Sequence, residues 1–146
     1  MGEACRLALH ELSAYHAACT SLREQLADAL EETVPGLRRN SPEGGNCLPN
    51  TLHVSVEDIR GESVVAALDL EGIAVSAGSA CAAGGGEPSH VLLALGHSDD
   101  QARNGVRFSF GRDSSLDEAD AIAQITAQVV QRMRTAARLR GNDASA

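Results

Sequence analysis

Apolar residues recur at steps of three and four from about Ala4 to Val34: Cys5, Leu9, Leu12, Tyr15 or His16, Cys19, Leu22, Leu26 and Leu30. That spacing is the period of a helix with one apolar stripe, and Glu11, Arg23, Glu24, Asp28 and Glu31 fall mostly between the stripe positions. A helix of this length runs about 45 Å at ~1.5 Å per residue, enough to extend past a small domain. Pro35 and Gly36 stop it. The stripe places both Cys5 and Cys19 on the core face.

The remaining chain has to supply the surface that the stripe packs against. With 146 residues the chain suits one domain, which buries roughly 70% of its unfolded surface. Hydrophobic residues make up 43% but aromatics only 2%, so Leu, Val, Ala and Ile fill the core. Residues 40–50, NSPEGGNCLPN, form a loop of turn formers. Thr51–Val56 alternates as a strand, with Leu52, Val54 and Val56 on one face and His53, read as a partly exposed strand histidine, on the other. Glu62–Leu70 reads as a short helix ended by Gly72, and Ile73–Val75 as a short buried strand.

Pro88 suits the first turn of a helix running through Val91, Leu92, Leu93 and Leu95 to Gly96. Ser98 with Gln101 and Ser115 with Glu118 match the capping box, the second opening a closing helix through Ile122, Ile125, Val129 and Met133. Between them Val106, Phe108 and Phe110 face one way along a strand, Arg107 and Ser109 the other. The expected fold is α+β: a small mixed sheet packed by helices on one side, with a long N-terminal helix. Residues 1–140 form that one domain, and residues 141–146 read as a disordered tail.

Composition excludes several functions. A net charge of −8 argues against a nucleic-acid footprint. No apolar run approaches the ~20 residues that cross a bilayer, and no signal-peptide pattern opens the chain, so a cytoplasmic location is expected. Cys5, Cys19, Cys47 and Cys81 are read as reduced thiols, and their spacing with the histidines gives no metal site. All twelve basic residues are arginine. Chemistry that needs a lysine amine, a Schiff base included, cannot be completed by this polypeptide alone.

One cysteine stands in surroundings that cannot bury it. Residues 75–90 read VSAGSACAAGGGEPSH, with Cys81 among alanines, serines and glycines and three successive glycines at 84–86. Such a tether is conformationally free, so its thiol is either incidental, an ordinary exposed cysteine, or meant to travel. Arg107, midway along an apolar strand, can offer a planar fork to a carboxylate; the rival reading is a salt bridge to one of the chain's 20 acids. Arg112 reads as structural, and His90 and His97, flanking the helix after the loop, read as surface residues.

The run GIAVSAGSACAAGGGEPSHVLLALG followed by NGVRFSFGR, with LPNTLHVSV and GESVVAALDLEGI upstream, closely resembles the C-terminal part of pyridoxal-phosphate-dependent cysteine desulfurases. The branch is the one with a long cysteine-bearing loop, and the resemblance spans about Gly2 to Arg134. It implies the small domain of fold-type I pyridoxal-phosphate enzymes. By position, Cys81 resembles the cysteine that takes the substrate's sulfur as a persulfide, and Arg107 the arginine that binds the carboxylate of L-cysteine. Ser76, Gly78 and Ser79 are carried over as loop-anchoring residues; Cys47 receives no role.

The resemblance further implies that pyridoxal phosphate is held by a lysine-bearing cofactor domain, which this chain lacks, and that the isolated chain is inactive. Implied partners are that domain or a desulfurase subunit, a sulfur-acceptor or scaffold protein for iron–sulfur cluster or related pathways, and a second copy in the complete enzyme. Part of the first helix is then left exposed where the cofactor domain would pack. The alternatives are a stand-alone persulfide carrier and a non-catalytic interaction module built on the same domain.

Overall fold

The structure is a computed structural model that describes residues 1–44, 46–78 and 88–143, with side chains to residue 140. Helix α1 (Gly2–Thr33) leads into strand β1 (Leu37–Arg39), a loop and strand β2 (Thr51–Val56). Helix α2 (Gly61–Leu70), two short helices α3 (His90–Ala94) and α4 (Asp99–Arg103), strand β3 (Gly105–Ser109), a 3-10 turn (Leu116–Glu118) and helix α5 (Ala119–Asp143) complete the chain. The strands lie in the order β1-β2-β3, and both pairings are antiparallel.

Alternation along β2 and β3 divides the sheet into two unlike faces. Leu52, Val54, Val56, Val106 and Phe108 are buried on one face, against α1, α2 and α5. Leu26, Leu30, Val64, Leu68, Val129 and Val130 from those helices close the core from their side. The expected α+β class with a long first helix is the architecture found, but its sheet is antiparallel in both pairings of the described strands and not mixed. Both capping boxes form: Ser98 and Gln101 start α4, and Ser115 and Glu118 start the 3-10 turn that α5 continues.

Three local expectations change. Cys5 is exposed, not a core-face residue, and Leu9 and Leu12 on the same stripe are 75% and 57% exposed. The reason is length: 32 residues of helix span about 48 Å, whereas a six-residue strand spans only about 20 Å. Burial in α1 therefore begins at Cys19 and continues through Leu22, Arg23, Leu26, Ala27 and Leu30. Ile73–Val75 is not a strand; only the next residue, Ser76, forms an isolated antiparallel bridge, to Arg107. Helix α5 reaches Asp143, past Gly141 where the sequence reads as a tail.

The first strand, Leu-Arg-Arg, carries no apolar alternation and has no counterpart in the sequence reading. A buried ionic cluster holds it in place. Arg23, 1% exposed, donates to Glu24 Oε1, to the carbonyls of Gly44 (2.9 Å) and Leu48 (2.9 Å), and to Cys47 Sγ (2.6 Å). Arg39 of β1 meets the same Glu24 carboxylate at 2.8 and 3.0 Å. A charge taken out of water needs such partners, and here they fix Gly44, Cys47 and Leu48 against α1.

Candidate functional site

The second sheet face carries the polar residues of the strands and is covered only in part. His53 and Arg107 are directly paired across β2 and β3, which puts their Cβ atoms about 4.5–5.5 Å apart on that face. Helix α3 lies over the end of it, where Leu92 is buried near Gly105. Ser89 caps α3 by accepting from the Leu92 amide, which sets the direction in which the helix leaves residues 88–89.

Between these elements lies a cleft of about 420 Å³. Arg107 and His53 form its floor, Asn40 and Ser41 one wall, and Val91, Leu92 and Leu95 of α3 and its end an apolar wall. Gly78 and Pro88 both line it. Cys81 and Ser79 lie outside the described residues, yet the two ends of the segment that carries them open onto the cleft that holds Arg107.

Arg107 is fixed by its backbone and open at its side chain. Its amide donates to the Ser76 carbonyl at 2.7 Å and its carbonyl accepts from the Ser76 amide at 3.1 Å, while its other edge pairs with His53. The side chain is exposed, and among the described residues no carboxylate forms a salt bridge with it. The rival reading of Arg107 as a surface ion pair thus has no partner among those residues. Two residues beyond Ser76, Gly78 takes φ +67°, a left-handed conformation that a side chain would strain, and this turns the chain out of pairing.

His53 is half-buried and more constrained than strand alternation suggests. Asn40 Nδ2 lies 2.9 Å from its Nδ1 and donates to Ser55 Oγ at 2.7 Å, while Asn40 Oδ1 is buried without a partner. The backbone of residues 40–41 clasps the same residue: both amides donate to the His53 carbonyl (2.8 and 3.2 Å), and Ser41 Oγ accepts from the His53 amide at 2.8 Å. The ring lies on Gly105, where a Cβ would come within 2.7 Å of His53 Cε1. Burial, then the charge of Arg107 and of His97, push the imidazole below the ordinary histidine range.

Sequence reasoning placed Arg107 and Gly78 at a common site and missed Asn40, Leu92 and the part played by His53. The usable signal was parity: His53 and Arg107 both point away from the apolar face of their strands. Arg112, read as structural, pairs with Glu11 of α1. His90 lines the outer edge of the cleft and is exposed. Cys47, left without a role, is the thiol that Arg23 contacts. No group of three or more His, Cys, Asp or Glu residues that could hold a metal ion occurs among the described residues.

Residues 1–122 match the family model of aminotransferase class-V. The cysteine desulfurase IscS of Serratia proteamaculans (strain 568) is 38% identical over 134 residues, covering 92% of this chain and 32% of that protein. The cysteine desulfurase IscS of Dictyoglomus turgidum is 33% identical over 135 residues, covering 92% of this chain and 34% of that protein. Among solved structures, a NifS-like protein superposes with TM-score 0.72 at 28% identity, over 86% of this chain and 30% of that one. A NifS-like protein from Rickettsia africae ESF-5 shares the fold with TM-score 0.72 at 22% identity, over 86% of this chain and 31% of that one. The chain spans about a third of the length of the curated relatives it matches.

Proposed function

Because the chain belongs to the aminotransferase class-V family, we propose that residues 1–140 are the C-terminal small domain of a cysteine desulfurase. In this reading Cys81 takes one sulfur atom from L-cysteine as a persulfide and passes it to an acceptor protein for iron–sulfur cluster or related pathways. Arg107 binds the carboxylate of L-cysteine, and Ser76, Gly78 and Ser79 anchor the segment that carries Cys81.

The observation that carries the reading is the shared cleft. Three residues from Gly78, Cys81 is tied within about 11 Å of it by backbone reach alone, so a thiol on that segment can meet a ligand held by Arg107. The backbone of Arg107 is locked to Ser76 and paired with β2, which suits a fixed ligand-binding group.

Pyridoxal phosphate does not fit the residues of this chain as an internally bonded group, because none of the twelve basic residues is a lysine. The cofactor, which activates the substrate's carbon framework, is therefore assigned to a lysine-bearing domain or subunit outside these 146 residues. The isolated chain is inactive on this reading. A persulfide carrier is the second reading; the open Arg107 favours the first, since a carrier has no need to bind a substrate carboxylate.

Intact-protein mass spectrometry tests the assignment. The chain is incubated with L-cysteine and pyridoxal phosphate, alone and with a lysine-bearing desulfurase added. A gain of about 32 Da, one sulfur atom, on Cys81 only in the second case is the expected result. Loss of that gain in Cys81→Ser and its reduction in Arg107→Ala complete the pattern. No sulfur on Cys81 under either condition refutes the proposal, and a gain indifferent to Arg107→Ala supports the carrier instead.

A further inference from the structure

His53 shares the cleft with Arg107 and has no part in the sulfur chemistry proposed above. We propose that His53 is a positioning residue of the Arg107 anion site, and that a carboxylate seated on Arg107 is bound together with a proton taken up by the imidazole. The inference rests on the reading of Arg107 as the carboxylate ligand and adds to it the means by which occupancy is linked to pH.

Two features support it. The first is the pairing itself. Two cations at cross-strand distance repel, so with Arg107 unoccupied its charge adds to burial in disfavouring protonation of the imidazole. A carboxylate on Arg107 cancels the nearest positive charge and replaces it with a negative one, which favours the imidazolium. By reciprocity, the protonated ring favours the carboxylate by the same factor.

The second feature is Asn40. Its amide donates through Nδ2 to His53 Nδ1 and to Ser55 Oγ, leaving Nε2 to carry the proton of the neutral ring. Turned over, the same amide presents Oδ1, now buried and unpartnered, to a protonated Nδ1 and to the Ser55 hydroxyl. The surroundings of the ring thus accommodate both protonation states without moving the backbone.

Among the described residues, the charges that bear on the ring are basic; Glu57, Asp58 and Asp100 line a separate cavity with His97 and Arg38. Arg107 faces it from β3, His97 from the turn before α4, and His90 of α3 lines the same cleft. Arg38 of β1 lies opposite Ser55, further along this sheet face. No carboxylate lines the cleft among the described residues. An incoming anion is therefore the group that can make His53 basic.

The test uses the intact chain with propionate as the probe, followed by NMR of the His53 Cε1 proton. The His53 midpoint should rise on saturation with propionate, and affinity should climb about fivefold or more between about pH 8 and about pH 5.5. In Arg107→Gln the midpoint should rise without ligand, and propionate binding should vanish. In His53→Asn binding should persist with a flat pH profile. Arg107-dependent binding with an unmoved His53 midpoint overturns this inference and leaves the carboxylate reading of Arg107 standing. Absence of any Arg107-dependent binding overturns both.

Discussion

Replacing Arg23 by methionine isolates what the buried guanidinium does, because the unbranched side chain keeps most of the stem and deletes the charge. The loss is counted from the structure. Two charge-assisted hydrogen bonds go, to the carbonyls of Gly44 and Leu48, both residues of an exposed loop that water can reach. At the lower end of the range for such bonds they amount to about 1.5 kcal/mol each. The Glu24 contact adds roughly 0.5 kcal/mol or less, since that carboxylate is 34% exposed and keeps Arg39. Against this, a thioether is cheaper to bury than a guanidinium, by about 1 kcal/mol. The net expectation for Arg23→Met is a destabilisation of about 2–3 kcal/mol. Urea unfolding followed by circular dichroism should show the midpoint falling by about 1–2 M at unchanged slope. Because Arg23 tethers the loop that begins at Asn40 and Ser41, amide exchange at those two residues should quicken more than in α5. A variant within about 0.5 kcal/mol of the parent would refute the reasoning and reduce Arg23 to a space-filler.

Gly61→Ala should lower the melting temperature, since the new Cβ would come within 2.2 Å of the Gly105 carbonyl oxygen. Overpacking of about 1–3 kcal/mol outweighs the ~1 kcal/mol of helix propensity gained; an unchanged or raised Tm would sink the argument. Gly105→Ala should push the His53 ring off its seat and, by exposing it, raise its NMR titration midpoint; an unmoved midpoint would contradict the packing described. Glu24 is held down at about 2 by Arg39, with Arg23 adding to it. A carboxylate depressed in the folded state stabilises fully above its unfolded value near 4.5, and that share is lost as pH falls toward about 2. Glu24→Gln should therefore cost about 1 kcal/mol at neutral pH, screening included, and flatten the acid limb between those values. An acid limb identical to that of the parent would exclude Glu24 as its source.

Where the chain keeps a period or a cap, its structure is legible. The stripe of α1, the alternation of β2 and β3 and the two serine caps each encode a local geometry that needs no distant partner. What escapes is set by neighbours far along the chain. Leu9 and Leu12 have the same spacing as Leu26 and Leu30, and only the reach of the sheet separates the exposed pair from the buried one. Leu37–Arg39 becomes a strand because Glu24 and β2 hold it, and no propensity of Leu-Arg-Arg announces that. Ile73–Val75 is apolar enough for a strand but is followed by a single bridge and a left-handed glycine. For the cleft, Arg107 stood out as a charge on an apolar strand. His53 did not, because its role depends on Asn40, a loop residue thirteen positions earlier.

The sheet's two outer margins bear on how copies of this chain would meet. One margin is β1, three residues long and ending in two arginines; the other is β3, five residues long and bridged at its centre, Arg107, by Ser76. Among the described residues, neither offers a long uninterrupted run of unpaired amides and carbonyls to template a strand from another molecule. Self-association at high concentration should therefore proceed through the bare leucines of α1. It should be reversible and sensitive to mild detergent, and should not ripen into fibres.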